Sequence, residues 1–220
     1  MNKGFLAVRT DLSFLFFFLP LLILLSCSTP AGALQVWSWE KYGFNTWAEG
    51  WQVYTNSTTQ GATNISQTTN APGWLLNGAY ALQVDLDLRT NPAAKTQGRV
   101  MADMATFFPY AVNIPMNLSN KDVYIALQWP ATNTMGYPTN RYRFFVYDSS
   151  NRCEYFDWTN IGTNGIGIEG NLWKVTATNS GAEAGFDPCK VTKMGLDFAM
   201  GAGSTGGYSG PVKFDAIRFD

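Results

Sequence analysis

Apolar and polar residues alternate with a period of two along several separate runs of this chain, and no run has a convincing period of 3.6 residues. The cleanest run covers residues 79–88, where Leu82, Val84, Leu86 and Leu88 alternate with Gln83, Asp85 and Asp87. A period of two places successive side chains on opposite faces of a β-strand. Short strands divided by turn signals therefore predict an all-β protein, a single-domain β-sandwich of the jelly-roll class.

The stretch from Asp122 to Trp158 holds three alternating runs in succession, which predict three adjacent strands. The inward positions of the first two are Val123, Ile125, Leu127, Tyr142, Phe144 and Val146, and outward positions include Tyr124, Gln128, Arg143, Phe145 and Tyr147. The third run places Glu154, Phe156 and Trp158 on one side and Tyr155 and Asp157 on the other. Aromatic rings beside planar polar groups suit a sugar, whose C–H face packs on a ring while its hydroxyls need donors and acceptors.

Two further segments carry no alternation. Residues 55–73 are polar, and residues 201–210 are rich in glycine. We predict a hairpin or surface loop for the first and a flexible connection for the second, since clusters of such residues are typical of loops. Between and after them, residues 194–200 and 212–219 are predicted strands.

The charge balance and the absence of one residue type exclude several functions. The formal net charge is −1, so nucleic acid and anionic membrane surfaces are poor candidate partners. The chain contains no histidine. This excludes Ser-His-Asp triads, acid–base catalysis by histidine, and zinc or copper sites with histidine ligands.

Residues 1–33 are predicted to be an export signal. A cationic start precedes an apolar run over residues 12–25, which is too short to span a membrane. Residues 24–27 resemble a bacterial lipobox, in which Cys27 would carry a lipid, whereas residues 31–33 form an A-x-A cleavage site. With either route, residues 34–220 form the domain, located outside the cell or on its outer surface. Contact with a membrane is then limited to the lipid.

Cysteine usage predicts a disulfide. The three cysteines are Cys27, Cys153 and Cys189. If Cys27 is lipidated or removed, the other two remain as a pair, and disulfides persist in exported proteins. We therefore predict a Cys153–Cys189 bond between a strand turn and a late loop.

The order of several segments matches a known group of domains. They are residues 81–85, residues 122–130, the run FFVYD over 144–148 with Tyr155 and Trp158, Trp173, residues 186–196, and YSGPVKFDAI over 208–217. This order resembles the jelly-roll carbohydrate-binding modules of the galactose-binding-domain-like group, as attached to bacterial mannanases and other β-glycan hydrolases. The resemblance covers most of the chain after residue 34. It implies non-catalytic binding of a mannan, glucan or xylan, beside a separate glycan-degrading enzyme.

The resemblance also implies a structural calcium. In such modules an acidic residue on the first strand and an aspartate on the last commonly hold the ion, and Glu40 and Asp215 occupy the matching places. Calcium takes six to eight oxygen ligands, so backbone carbonyls would complete the site. The alternative is that Asp215 pairs at a strand edge.

Ligand positions in this group vary too much to be transferred by motif, so we choose candidates by outward parity and by position at strand ends. The candidates are Asp85, Tyr124, Gln128, Arg143 and Tyr147 by parity, and Trp129 and Trp158 at strand ends. No catalytic residue is assigned. Two alternatives stay open: a jelly-roll glycoside hydrolase or lyase that uses Asp/Glu pairs or Tyr with Arg, and a structural or assembly subunit of the cell surface.

Overall fold

Nearly all regular structure in the described part of the chain is β-strand. The structure, a computed structural model, describes residues 35–37, 48, 50–54, 60–69, 80–88, 96–104, 114–129, 140–160, 166–167, 173–174, 180–200 and 207–219. Within these residues no helix is long and apolar enough to cross a membrane. The predicted export signal, with Cys27, lies outside them, and its processing stays a prediction.

The strands form two antiparallel sheets. Among the described residues the first sheet contains β1 (Gln35–Trp37), β3 (Ala62–Thr69), β4 (Tyr80–Leu88), β6 (Asp122–Gln128), β10 (Ile166–Gly167), β11 (Trp173–Lys174) and β13 (Tyr208–Phe219). The second contains β2 (Trp51–Val53), β5 (Gln97–Asp103), β7 (Arg141–Asp148), β8 (Cys153–Tyr155), β9 (Thr159–Asn160) and β12 (Val191–Ala199). β13 pairs with β4 and β6, and β12 pairs with β5 and β7. These sheets confirm the predicted all-β sandwich.

The core lies between the inward faces of the two sheets, and aromatic rings link them. The Trp51 ring on β2 is 5.3 Å from the Phe214 ring on β13, and the Trp129 ring after β6 is 5.8 Å from the Phe198 ring on β12. Both pairs meet edge to face, a geometry that adds about 1 kcal/mol to the stabilisation from burial. The apolar positions of the alternating run on β4 are all buried, namely Leu82, Val84, Leu86 and Leu88, as are Met194, Leu196 and Phe198 on β12.

The polar segment predicted as a hairpin or surface loop contains strand β3. β3 pairs antiparallel with β4 and, among the described residues, is the outermost strand of the first sheet on that side. Its place at the edge explains its composition, because backbone hydrogen bonds to one neighbour hold it while most of its side chains stay near solvent. Polar residues are also common on edge strands, where they limit pairing with other chains.

The stretch from Asp122 to Trp158 does not form three adjacent strands. β6 joins the first sheet, whereas β7 and β8 belong to the second. The outward side chains of β6 and β7 therefore lie on opposite sides of the sandwich. The prediction of one shared outward face is wrong, because alternation determines which side of a strand is buried but not which sheet the strand joins.

Cys153 is a buried free thiol, so the predicted Cys153–Cys189 disulfide is wrong. The thiol lies within hydrogen-bonding reach of Tyr147 and Tyr155 rather than opposite a second cysteine. Burial raises the pKa of this thiol to about 12, which keeps it protonated at neutral pH. Cys189 lies in the 3-10 helix Pro188–Lys190, where its backbone N–H donates to the Asp187 carboxylate at 3.0 Å.

Asp148 ties the turn between β7 and β8 to the segment that precedes β12. Its carboxylate accepts the backbone N–H groups of Ser150, Arg152 and Asp187 at 2.8, 3.0 and 3.1 Å, and the Nε of Arg152 at 2.9 Å. Burial acts to raise the pKa of Asp148, but these donors outweigh it and hold the pKa below its usual value. The turn that leads β7 into β8 thus depends on an ionised carboxylate.

We predict that Asp148→Ala lowers the free energy of unfolding at pH 7 by about 3 kcal/mol, because three backbone N–H groups and the Arg152 guanidinium lose their acceptor. Since the folded pKa is depressed, the stabilisation is present above the unfolded pKa of about 4 and is lost as the pH falls through the folded pKa. Denaturant unfolding from pH 7 to pH 2 measures this. The control is Asp187→Ala, which removes the hydrogen bond that caps the 3-10 helix and should lower the free energy of unfolding by about 1 kcal/mol. If the difference in unfolding free energy between Asp148→Ala and wild type stays the same at low pH, the stabilising role of the ionised Asp148 carboxylate is contradicted.

Candidate functional site

Charged and aromatic side chains cover the outward face of the second sheet, which we call the arginine–aromatic face. It consists of Arg99 on β5, Arg141, Arg143, Phe145 and Tyr147 on β7, Tyr155 on β8, Trp158 beyond it, and Asp197 on β12. The alternate residues of these strands, such as Val100, Phe144 and Leu196, are buried in the core. Period two therefore turns the charged set outward.

Asp197 is the centre of this face. The strand register places it opposite Arg99 on one side and Arg143 on the other. Its two carboxylate oxygens accept Nε and Nη2 of Arg99 at 2.5 and 2.8 Å, and Arg143 donates Nε to the second oxygen at 2.9 Å. The Asp197 side chain is 0% exposed, against 15% and 20% for the two arginines. Three strands are thus joined by one carboxylate, both of whose oxygens accept hydrogen bonds from arginines.

The charge of Arg99 is secured by the same contact. Burial acts to lower the pKa of Arg99, but the hydrogen bonds and charge of Asp197, with a smaller contribution from Tyr155, raise it above the ordinary value. Nη1 of Arg99 also donates to the Tyr155 hydroxyl at 3.1 Å. The guanidinium is therefore permanently charged and held in one orientation.

A layer of rings lies against the arginines. The guanidinium carbon of Arg99 is 4.5 Å from the centroid of Phe145 and 5.2 Å from that of Tyr155. Phe145 points outward yet is fully buried, because Arg99 and the neighbouring rings cover it. Gly195 makes this packing possible, since a Cβ there would collide with the Phe145 ring and with the Val100 carbonyl. Because Gly195 has no side chain, the Phe145 ring has room to lie across β12.

Trp158 reaches this face by a break in alternation. Sequence parity placed it on the same side as Phe156, which is buried in the core. β8 ends at Tyr155, however, and the irregular chain beyond it brings Trp158 outward, beside Arg141 and Arg143. The two guanidinium carbons lie 4.7 and 4.6 Å from the Trp158 ring centroid. Arg143, Tyr147 and Trp158 are the sequence-predicted ligand residues that the structure brings together.

Two tyrosine hydroxyls complete the face near Cys153. The hydroxyls of Tyr147 and Tyr155 are 3.4 Å apart. Burial, followed by the hydrogen bond to Tyr155, raises the pKa of Tyr147 above its ordinary value. Tyr147 is therefore a neutral hydrogen-bonding group at physiological pH rather than a ready base.

The other predicted ligand residues lie elsewhere. Asp85, Tyr124 and Gln128 belong to the first sheet, and the Asp85 carboxylate there accepts the side-chain amides of Asn64 and Gln83 at 3.1 and 2.9 Å. Trp129 is 1% exposed and packs against Phe198 and Tyr208. The prediction that Trp129 contacts a ligand is wrong. Although β6 ends at Gln128, Trp129 continues its alternation and points into the core, as Val123, Ile125 and Leu127 do.

Sequence reasoning missed the residues that organise the face. They are Arg99, Arg141, Phe145, Tyr155 and Asp197. A signal was present, since Asp197 is a lone carboxylate between the core residues Leu196 and Phe198, at outward parity. Pairing it with arginines on two other strands required the strand order, which one sequence does not give.

The metal prediction remains open. Asp215 is 0% exposed on β13, and Glu40 lies outside the described residues. Among the residues that the structure describes, no group of three or more Asp, Glu, Cys or His side chains is arranged to hold a metal ion.

Comparison with known proteins identifies the fold. No protein-family profile and no curated protein matches the chain. CBM27-1 of Caldicellulosiruptor saccharolyticus, solved in complex with mannohexaose, is 14% identical, with 86% of this chain and 97% of that chain covered and a TM-score of 0.59. The CBM22-1 xylan-binding domain of Paenibacillus barcinonensis Xyn10C is 10% identical, with 87% and 96% covered and a TM-score of 0.45. The chain therefore shares the β-sandwich fold of CBM27-1. The resemblance seen in the sequence is thereby confirmed for the fold.

We predict that Asp197→Ala lowers the free energy of unfolding by about 3 kcal/mol, because the two arginines that share the carboxylate would keep largely desolvated charges without a partner. Denaturant unfolding at pH 7 measures the loss. Asp85→Ala, on the outward face of the first sheet, is the matched control and should cost less than about 1 kcal/mol. Equal losses in the two variants would show that Asp197 does not organise the second sheet.

Proposed function

We propose that this protein is an exported, non-catalytic polysaccharide-binding module whose ligand lies along the arginine–aromatic face. The main observation in support is the layer of planar groups around Asp197, on the outward side of a sheet in this fold. Guanidinium groups and phenol hydroxyls offer hydrogen bonds in fixed directions. A polysaccharide, with many hydroxyls per sugar, suits such a surface.

The carboxylates support binding rather than hydrolysis. A glycosidase needs two carboxyl groups that flank the scissile bond. Of the carboxylates that could form such a pair, Asp148 and Glu154 are fully buried, and Asp85 and Asp87 lie on β4 in the first sheet. Asp197, which lies at the centre of the arginine–aromatic face, is occupied by two arginines. Asp157, which is exposed next to Trp158 in the sequence, is then a single carboxylate and not the pair that hydrolysis needs.

The first ligands to test are β-linked polysaccharides. CBM27-1, which shares the fold, was solved with mannohexaose, so mannan comes first, followed by glucan and xylan. Micromolar affinity corresponds to about 8 kcal/mol. Contacts along several sugar units would be needed to reach it, since one hydrogen bond contributes only about 1 kcal/mol net.

Affinity electrophoresis of residues 34–220 through gels that contain mannan, β-glucan or xylan tests the proposal. We expect retardation without new reducing ends. Trp158→Ala should weaken the retardation at least tenfold, because this ring orients two arginines, whereas Tyr124→Ala on the first sheet should leave it unchanged. Retardation with new chain ends would favour a glycoside hydrolase or lyase. Large assemblies without affinity for any polymer would favour a structural subunit of the cell surface.

The proposal has three further parts. The domain holds a structural calcium ion, Cys27 carries a lipid that anchors the protein to the cell surface, and the protein acts beside a separate enzyme that degrades glycans. The calcium would involve Glu40 and Asp215 and would stabilise the domain. We expect a chelator to lower the melting temperature by several degrees and added calcium to restore it. A melting temperature that is unchanged by chelator would remove calcium from the proposal.

A further inference from the structure

Two arginines lie over the ring of Trp158, so this ring is at least partly covered and is not an open platform for a sugar. The guanidinium carbons of Arg141 and Arg143 are 4.7 and 4.6 Å from its centroid. A guanidinium stacked on a ring still directs its N–H groups sideways, in its own plane. The tryptophan thus holds two sets of donors in position.

Arg141 contributes a positive charge that no carboxylate of the described residues pairs with. Within the described residues it forms no ion pair, and its Nε, although buried, donates no hydrogen bond. The one carboxylate among the arginines, Asp197, is taken by Arg99 and Arg143. Three guanidinium groups therefore share one negative charge.

This local excess contrasts with the chain as a whole, whose formal net charge is −1. The outward side of the second sheet also carries Lys193 and Asp103, which lie opposite each other in the strand register and offset one another. Asp157 is exposed beside Trp158 in the sequence and reduces the excess without cancelling it. Arg141 and Arg143 are closer together than the Debye length of about 10 Å at 0.1 M salt, so they act jointly on a ligand.

We infer that Arg141 and Arg143 bind an anionic group of the polysaccharide, either the carboxylate of a uronic acid or a sulfate ester. This inference rests on the proposed function and specifies the ligand as an acidic polysaccharide. The planar fork of a guanidinium matches two oxygens of either group in a bidentate contact. A neutral sugar would leave the charge of Arg141 uncompensated under the bound chain, at a desolvation cost.

The test compares one polymer in two charge states. Binding is measured by affinity electrophoresis and titration calorimetry at 50 mM salt, with β-linked polymannuronate, the same polymer after reduction of its carboxyl groups, cellulose sulfate, mannan and xylan. We expect wild-type protein to bind polymannuronate or cellulose sulfate at least tenfold more tightly than the carboxyl-reduced polymer, and to lose this advantage in 0.5 M salt.

Variants assign the effect to the arginines. Arg141→Gln should weaken acidic-polymer binding about tenfold with an unchanged melting temperature, whereas Lys213→Gln, which removes a cation from the first sheet, should have no effect. If Arg141→Gln lowers the melting temperature, Arg141→Lys keeps the charge without the planar fork and should lose part of the affinity.

The outcomes separate the inference from the proposed function. Tight binding of cellulose sulfate alone supports the inference and assigns sulfate as the ligand group, and tight binding of polymannuronate assigns carboxylate. If neither acidic polymer binds more tightly than the carboxyl-reduced polymer, or if Arg141→Gln and Lys213→Gln cause equal losses, the inference is overturned and the proposed function stands. No binding to any polymer, mannan and xylan included, overturns both.

Discussion

The arrangement of the second sheet's outward face depends on one carboxylate shared by two arginines. Asp197 joins three neighbouring strands through Arg99 and Arg143. With its orientation fixed in this way, Arg99 covers Phe145 and reaches the Tyr155 hydroxyl. A buried ion pair contributes little net stability, because desolvation offsets the attraction. The main stabilisation comes from the aromatic core, and the contribution of Asp197 is to hold polar groups in a single geometry.

The same strands contribute to both the core, which stabilises the fold, and the arginine–aromatic face, which holds polar groups in position. On β12, Leu196 and Phe198 pack inward while Asp197 between them points outward. The inward contacts keep the strand in place, so the outward groups need no flexibility of their own to meet a ligand. Preorganised donors lose less conformational entropy on binding than free side chains.

Much of the fold could be predicted because burial imposes a period of two. The alternation of residues 79–88 correctly gave strand β4 and its buried face. It did not reveal the edge strand β3, whose polar side chains bury little and so carry no hydrophobic signal. It also could not show that β6 and β7 enter different sheets, since strand pairing is set by contacts distant in sequence.

The site was harder to predict than the fold for the same reason. Outward parity selected Arg143 and Tyr147 correctly as members of the arginine–aromatic face, but it also selected Asp85 and Tyr124, which lie in the other sheet. Net charge gave no hint of the arginines, because it averages over both sides of the sandwich. The missing information was the strand order that brings Arg99 and Arg143 to Asp197.

Pairing between the first and last strands sets how the domain is presented to its surroundings. Gln35 on β1 lies opposite Phe219 on β13, and both strands belong to the first sheet. Any segment that enters before Gln35 or leaves after Phe219 is therefore attached through the sheet that does not carry the arginine–aromatic face.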